Sequence, residues 1–138
     1  MTKMIFVSLP ISDLAASTVF YEALGFTRNA HFSDETSSCM VWSDAIYVML
    51  LTHAKWRKFT QRPYPPADSV GLMLSLAMES RDAVDSMNIA AEVHGGKADV
   101  NPVEDRGFMY TRDLADPDGH MWGIFWMDPA AIPAAGQS

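Results

Sequence analysis

The chain has 138 residues, of which 49% are hydrophobic and 20% charged, with 10 basic and 17 acidic side chains and a formal net charge of -7. That length suits one domain with a real core, and the apolar content excludes a disordered chain. The acidic balance without any basic block leaves a phosphate backbone nothing to grip, so no nucleic-acid partner is expected.

The single cysteine, Cys39, excludes an intrachain disulfide and any multi-cysteine zinc or iron–sulfur site. Within Ser38-Cys39-Met40-Val41-Trp42 it reads as a buried thiol rather than a nucleophile. The longest apolar run, residues 46–51, is too short to span a membrane as a helix. No apolar signal run follows Lys3, so the cytoplasm is the expected location and no membrane partner is expected.

Residues 4–11 alternate as a strand, with Phe6 and Ser8 on one face and Val7, Leu9 and Ile11 on the other. Asp13 is placed to cap a helix, because its carboxylate can accept the free amides of the first turn. Leu14, Thr18, Tyr21 and Leu24 recur at helical spacing, and Gly25 stops the helix. Strands are predicted at 26–32, 38–42 and 46–51, separated by the turns Ser33-Asp34-Glu35 and Ser43-Asp44.

Residues 53–69 form a connector that starts with a turn or two of helix and is broken by Pro63-Tyr64-Pro65-Pro66. It is either a plain linker or a partial cover for one end of a cavity. A second unit then repeats the first. Leu72, Leu74, Leu76 and Met78 share one strand face, and Met73, Ser75 and Ala77 share the other. Ser80 caps a helix whose buried stripe is Ala83, Val84, Met87 and Ala91, and Gly95-Gly96 ends it. Strands follow at 98–101, 107–112 and 121–126, with Asp116-Pro117-Asp118-Gly119 as a tight turn. The sequence thus divides into modules at about 3–52 and 70–128, within one domain of 1–128, and a loosely held tail of 129–138.

Leu9-Pro10-Ile11-Ser12-Asp13-Leu14, Phe20-Tyr21 and Leu24-Gly25-Phe26 resemble the opening of the glyoxalase / bleomycin-resistance / extradiol-dioxygenase superfamily, the vicinal oxygen chelate fold. Gly95-Gly96 and Asp116-Pro117-Asp118-Gly119-His120 fit the same pattern. So do Leu51-Thr52-His53-Ala54-Lys55-Trp56 and the ending from Trp122 to Asp128, which point to a glyoxalase-like branch of unassigned substrate. The resemblance implies an α+β fold of two paired βαβββ modules, an incomplete barrel around a cavity, and a homodimer.

Metal-dependent members hold a divalent ion with four His or Glu side chains. The resemblance carries these positions onto Phe6, Leu50, Met73 and Gly123. None offers an oxygen or nitrogen donor, so no metal and no cofactor are expected. The four histidines, His31, His53, His94 and His120, are not spaced as a cluster and read first as structural or exposed. His53 and His120 are the ones to reconsider if a displaced site exists.

The candidate ligand-binding set is Phe6, Ser8, Trp42, Leu50, Met73, Ser75, Arg106, Tyr110, Gly123 and Phe125. The hydroxyls are to orient a polar end, and Arg106 in the loop Glu104-Asp105-Arg106 is to hold an anion. No catalytic residue is named. The favoured reading is a metal-independent binder of a small, partly apolar molecule. The alternatives are a lactoylglutathione-lyase-like or dioxygenase-like enzyme with a displaced site, and an interaction protein with a vestigial cavity.

Overall fold

The computed structural model describes residues 2–66 and 68–131, so the expected tail beyond 131 lies outside the described residues. The first module is β1 (Ile5–Ile11), α1 (Leu14–Ala23), β2 (Thr27–Asp34), β3 (Ser37–Val41) and β4 (Ile46–Thr52). A one-turn helix, α2 (His53–Trp56), opens the connector. The second module is β5 (Met73–Ala77), α3 (Arg81–Val93), β6 (Glu104–Asp105), β7 (Met109–Ala115) and β8 (Met121–Met127).

The sheets have the orders β1-β4-β3-β2 and β5-β8-β7-β6. In each, the first and last strands run parallel and the other neighbours antiparallel. A parallel pair needs a crossover, and the helix of each module supplies the start of it. The two sheets share no strand pairing among the described residues, so no barrel closes within one chain. The expected α+β class with two βαβββ modules is the observed one.

The helix boundaries follow the predicted chemistry. Asp13 Oδ1 accepts the Ala16 amide at 3.0 Å, and Ser80 Oγ accepts the Ala83 amide at 3.0 Å. Gly25 closes α1 with φ of 109°, which a side chain would strain. Gly96 is needed for a different reason: a Cβ there would run into the Ala115 carbonyl and the Phe20 ring. The buried stripe of α1 is Ser17, Phe20, Tyr21 and the cap Leu24, so Tyr21 and Leu24 stand where expected, while Leu14 and Thr18 are only half-buried.

Each helix covers one face of its own sheet, and the two covered faces merge into one core. The seam is polar at one point. Tyr21 on α1 donates its hydroxyl to Asp116 Oδ2 at 2.7 Å, and Trp122 Nε1 donates to the Tyr21 oxygen at 3.0 Å. Asp116 Oδ1 takes the amides of Asp118 at 2.9 Å and His120 at 2.8 Å. Burial raises the Asp116 carboxyl above the usual carboxylate range, and burial followed by the Asp116 charge raises the Tyr21 hydroxyl.

On the outside of α3 a charged network ties the helix to its sheet. Arg112 on β7 donates to Asp85 on α3 at 2.9 Å and to Asp99 at 2.6 Å. Tyr110 adds a bond to Asp85 at 2.6 Å. The Tyr110 bond and then the Arg112 bond hold the Asp85 carboxyl below its usual value, and Arg112 does the same for Asp99.

Two strand expectations are corrected. Residues 98–101 form no strand. The amides of Ala98 and Asp99 are taken by the Glu92 and Asn88 side chains of α3, and Asp99 sits at φ of 50°. Backbone bonding from this stretch to β7 is limited, among the described residues, to the bridge between Lys97 and Ala115 and the Val100 amide bond to the Asp113 carbonyl. The sixth strand is instead Glu104–Asp105, in the stretch expected to be loop, and β7 runs on to Ala115 rather than ending at Arg112.

Tyr21→Phe is expected to lower the unfolding free energy by roughly 1–3 kcal/mol, because it strands the buried Asp116 oxygen and the Trp122 N–H together. The urea midpoint at constant m-value measures it. A second outcome concerns acid. Carboxyls held low in the folded state add stability that is present above their unfolded value and lost as pH falls toward the folded one. Arg112→Met should therefore flatten the fall of the melting temperature between about pH 4 and pH 2. An unchanged acid limb would count against the network.

Candidate functional site

Merging the helix faces leaves the opposite face of each sheet uncovered. Strand register says which residues stand there. In the first sheet Phe6 pairs with Tyr47, Ser8 with Met49, and Cys39 with Met49, so these side chains share the open face. A hollow of about 420 Å³ on this face is lined by Met4, Phe6, Phe32, Cys39, Tyr47 and Met49, with Asn29 at its edge. Phe6 is 55% exposed and stacks on Tyr47 with ring centroids 4.5 Å apart.

In the second sheet Met73 pairs with Met121, Ser75 with Gly123, Asp113 with Gly123, and Thr111 with Phe125. These form the second open face, where Met73 is 53% exposed. Gly123 has a specific use here. A Cβ on it would stand 3.2 Å from both Asp113 Oδ1 and Ser75 Oγ, so its missing side chain lets a carboxylate and a hydroxyl converge. Asn101 Nδ2 donates to the other Asp113 oxygen at 2.9 Å and fixes the carboxylate.

The predicted site residues therefore divide. Phe6 and Ser8 stand on one open face, and Met73, Ser75, Gly123 and Phe125 stand on the other. Leu50 does not join them: it is fully buried on the helix side, and its neighbour Met49 occupies the open face. Trp42 packs tilted against Phe26 with centroids 5.0 Å apart, on the core side. Tyr110 also lies on the helix side, bonded to Asp85. Parity excludes all three from the open faces, since each falls one residue out of phase with the exposed set. Arg106 is exposed beside β6, 3.6 Å from Glu104, and reaches neither face.

Asp113 is the residue that sequence reasoning missed. The signal was present in the alternation from Tyr110 to Leu114, which puts Thr111 and Asp113 opposite Tyr110, Arg112 and Leu114. Ending the strand at Arg112 hid it.

Residues 3–124 match the family described as the glyoxalase/bleomycin resistance protein/dioxygenase superfamily. The chain belongs to this superfamily. Solved structures agree in fold. A hypothetical protein from S. aureus is 23% identical with a TM-score of 0.76, over 91% of this chain and 95% of that one. A glyoxalase-related enzyme from Fulvimarina pelagi is 20% identical with a TM-score of 0.76, over 99% and 96%. The fosfomycin resistance protein FosX from Mesorhizobium loti is 12% identical with a TM-score of 0.68, over 94% and 96%. No curated protein matches the chain.

The metal that the superfamily implies does not fit the side chains present. Phe6, Met73 and Gly123 bring a ring, a thioether and no side chain. On β4 neither Leu50 nor Met49 brings a hard donor. Asp113 and Ser75 alone do not make the three or four ligands that zinc or its neighbours need. Among the described residues no three His, Cys, Asp or Glu side chains converge.

Cys39 faces the first hollow but is only 2% exposed, and burial pushes its thiol up. The thiolate is the reactive form. Ellman's reagent at pH 8 should therefore modify native Cys39 at least about tenfold more slowly than the urea-unfolded chain. Equal rates would place the thiol in solvent.

Proposed function

We propose that the protein is a metal-independent binder of a small, partly apolar molecule and works as a homodimer. In this reading the open face of the first sheet in one protomer is roofed by the open face of the second sheet in its partner. The observation that carries it is the pair of complementary faces. One is apolar and hollow, around Phe6, Tyr47 and Met49. The other carries the oxygen groups of Ser75, Thr111 and Asp113.

Contiguous exposed apolar surface is costly in water and marks a contact. Met4, Phe6, Phe32 and Met73 are each more than half exposed in a single chain. A second copy would bury them and enclose a space with an apolar floor and one polar corner, the usual character of a small-molecule site. The ligand's body would lie on Phe6 and Phe125, and its polar group would reach Ser75 and Asp113. A carboxylate in that corner favours a hydroxyl or N–H on the ligand over an anion.

The test has three arms. Sedimentation at low micromolar concentration should give about twice the chain mass of 15.3 kDa, with Phe6→Asp giving the single mass. Metabolite and drug screening by thermal shift, followed by calorimetry, should yield a ligand whose affinity falls by about 1–3 kcal/mol in Phe6→Ala. Elemental analysis of tag-free protein should show no stoichiometric divalent ion. A monomeric wild type or a stoichiometric ion would overturn the corresponding half of the reading. Turnover of a hit would turn it toward catalysis.

A further inference from the structure

A second recess lies where the connector crosses the junction of the modules, at the margin of the open faces, since Ser8 and Met121 are also in its wall. Two adjoining hollows of about 220 and 160 Å³ share Pro10, Pro65, Ser69, Gly119 and His120. The larger is apolar, with Trp56, Leu72, Leu74 and Met121 in its wall. The smaller is polar, with His53, Tyr64, Asp118 and His120.

A donor and acceptor count shows what the polar end lacks. The Tyr64 hydroxyl is spent on the His53 carbonyl at 3.1 Å. His120 Nε2 lies 2.7 Å from the Pro10 carbonyl, which only accepts, so the ring proton is on Nε2. In the neutral ring Nδ1 is then an acceptor. Asp118 Oδ1 accepts the Ser12 amide at 3.0 Å. Its other oxygen, Oδ2, is buried with no hydrogen-bond partner. That oxygen has almost no accessible surface, so what the hollow offers a ligand is the negative charge of Asp118, which a charged N–H complements best. Among the described residues no lysine or arginine lines either hollow, and Arg57, 3.9 Å over the Tyr64 ring, donates to the carbonyls of Thr60 and Arg62 instead.

We propose that this recess binds a small organic ammonium, with its charged nitrogen between Asp118 and His120 and its hydrocarbon body against Trp56, Leu72 and Met121. Its polar end is built from the connector and the turn before β8, with only Ser8 and Met121 shared with the open faces, and it does not depend on the dimer or on the reading of those faces.

The experiment compares three probes with the same phenylethyl body by calorimetry at pH 7: 2-phenylethylamine, 2-phenylethanol and 3-phenylpropanoate. The amine should bind at least about tenfold more tightly than the alcohol, and the carboxylate more weakly still. Asp118→Asn keeps the acceptor for Ser12 and replaces the unpartnered oxygen with an NH2 group, so it should cost the amine at least about tenfold. Leu72→Trp, at an exposed position, should block the apolar end. Phe6→Ala and Phe125→Ala should leave amine binding unchanged, which separates this site from the open faces. The proposal fails if the carboxylate binds as well as the amine, or if the amine does not bind at millimolar concentration. It also fails if Asp118→Asn with an unchanged melting midpoint binds the amine normally. Should Asp118→Asn not fold, wild-type amine affinity in Leu72→Trp is the overturning result.

Discussion

One helix can cover one face of a four-stranded sheet, and each module of this chain has one long helix. Two sheets therefore present four faces, and two helices can cover only two of them. The chain brings the two covered faces together, which builds a single core from Leu9, Phe20, Tyr21, Leu50, Leu76, Val84, Trp122 and Ile124. The remaining two faces are left to water in an isolated chain. Everything of functional interest on Phe6, Met73, Ser75 and Phe125 follows from that division. The same division explains why a fold able to surround a cavity does not surround one within a single copy.

Holding the two covered faces together requires more than apolar contact, because such contact fixes no angle between sheets. The Tyr21, Asp116 and Trp122 bonds supply direction. Asp116 has donors on both oxygens, so its burial is tolerated. Its neighbour Asp118 has only one, although it stands in the same turn. Replacing the Asp116 set with hydrocarbon of the same shape would not obviously weaken the core. What it would remove is the registration of α1 against β8, and with it the direction in which the open faces point.

Much of this was legible from local chemistry. Asp13 and Ser80 announced their helices by offering acceptors to free amides, and Gly25 announced an end by its backbone freedom. The repeated module was legible because each copy changes from alternating to helical spacing at the same point. The failures share a physical origin. From Ile46 to Leu51 every side chain is apolar, so period-two reading has no contrast, and Leu50 was assigned the face that pairing with β1 gives to Met49. Residues 98–101 hold one strong strand former, Val100, and the amides of Ala98 and Asp99 are claimed by Glu92 and Asn88 on a neighbouring helix. Trp42 and Tyr110 are amphipathic enough to suit either face. Their positions depend on partners more than twenty residues away in the case of Tyr110, or on a ring packed across the core in the case of Trp42.

The loss of donor side chains at the superfamily's metal positions is best understood together with Gly123. A glycine in mid-strand weakens a sheet and needs a reason. Here the freed space is taken by Asp113 and Ser75, which approach each other across it. The second open face thus presents no side chain at Gly123 but a carboxylate on the adjacent strand, held by Asn101. A metal would draw electron density from a bound ligand, whereas a fixed carboxylate and hydroxyl recognise its hydrogens. In the proposed metal-independent reading, that corner works by hydrogen-bond selection rather than by Lewis-acid chemistry, which is a physical use for the fold that needs no ion.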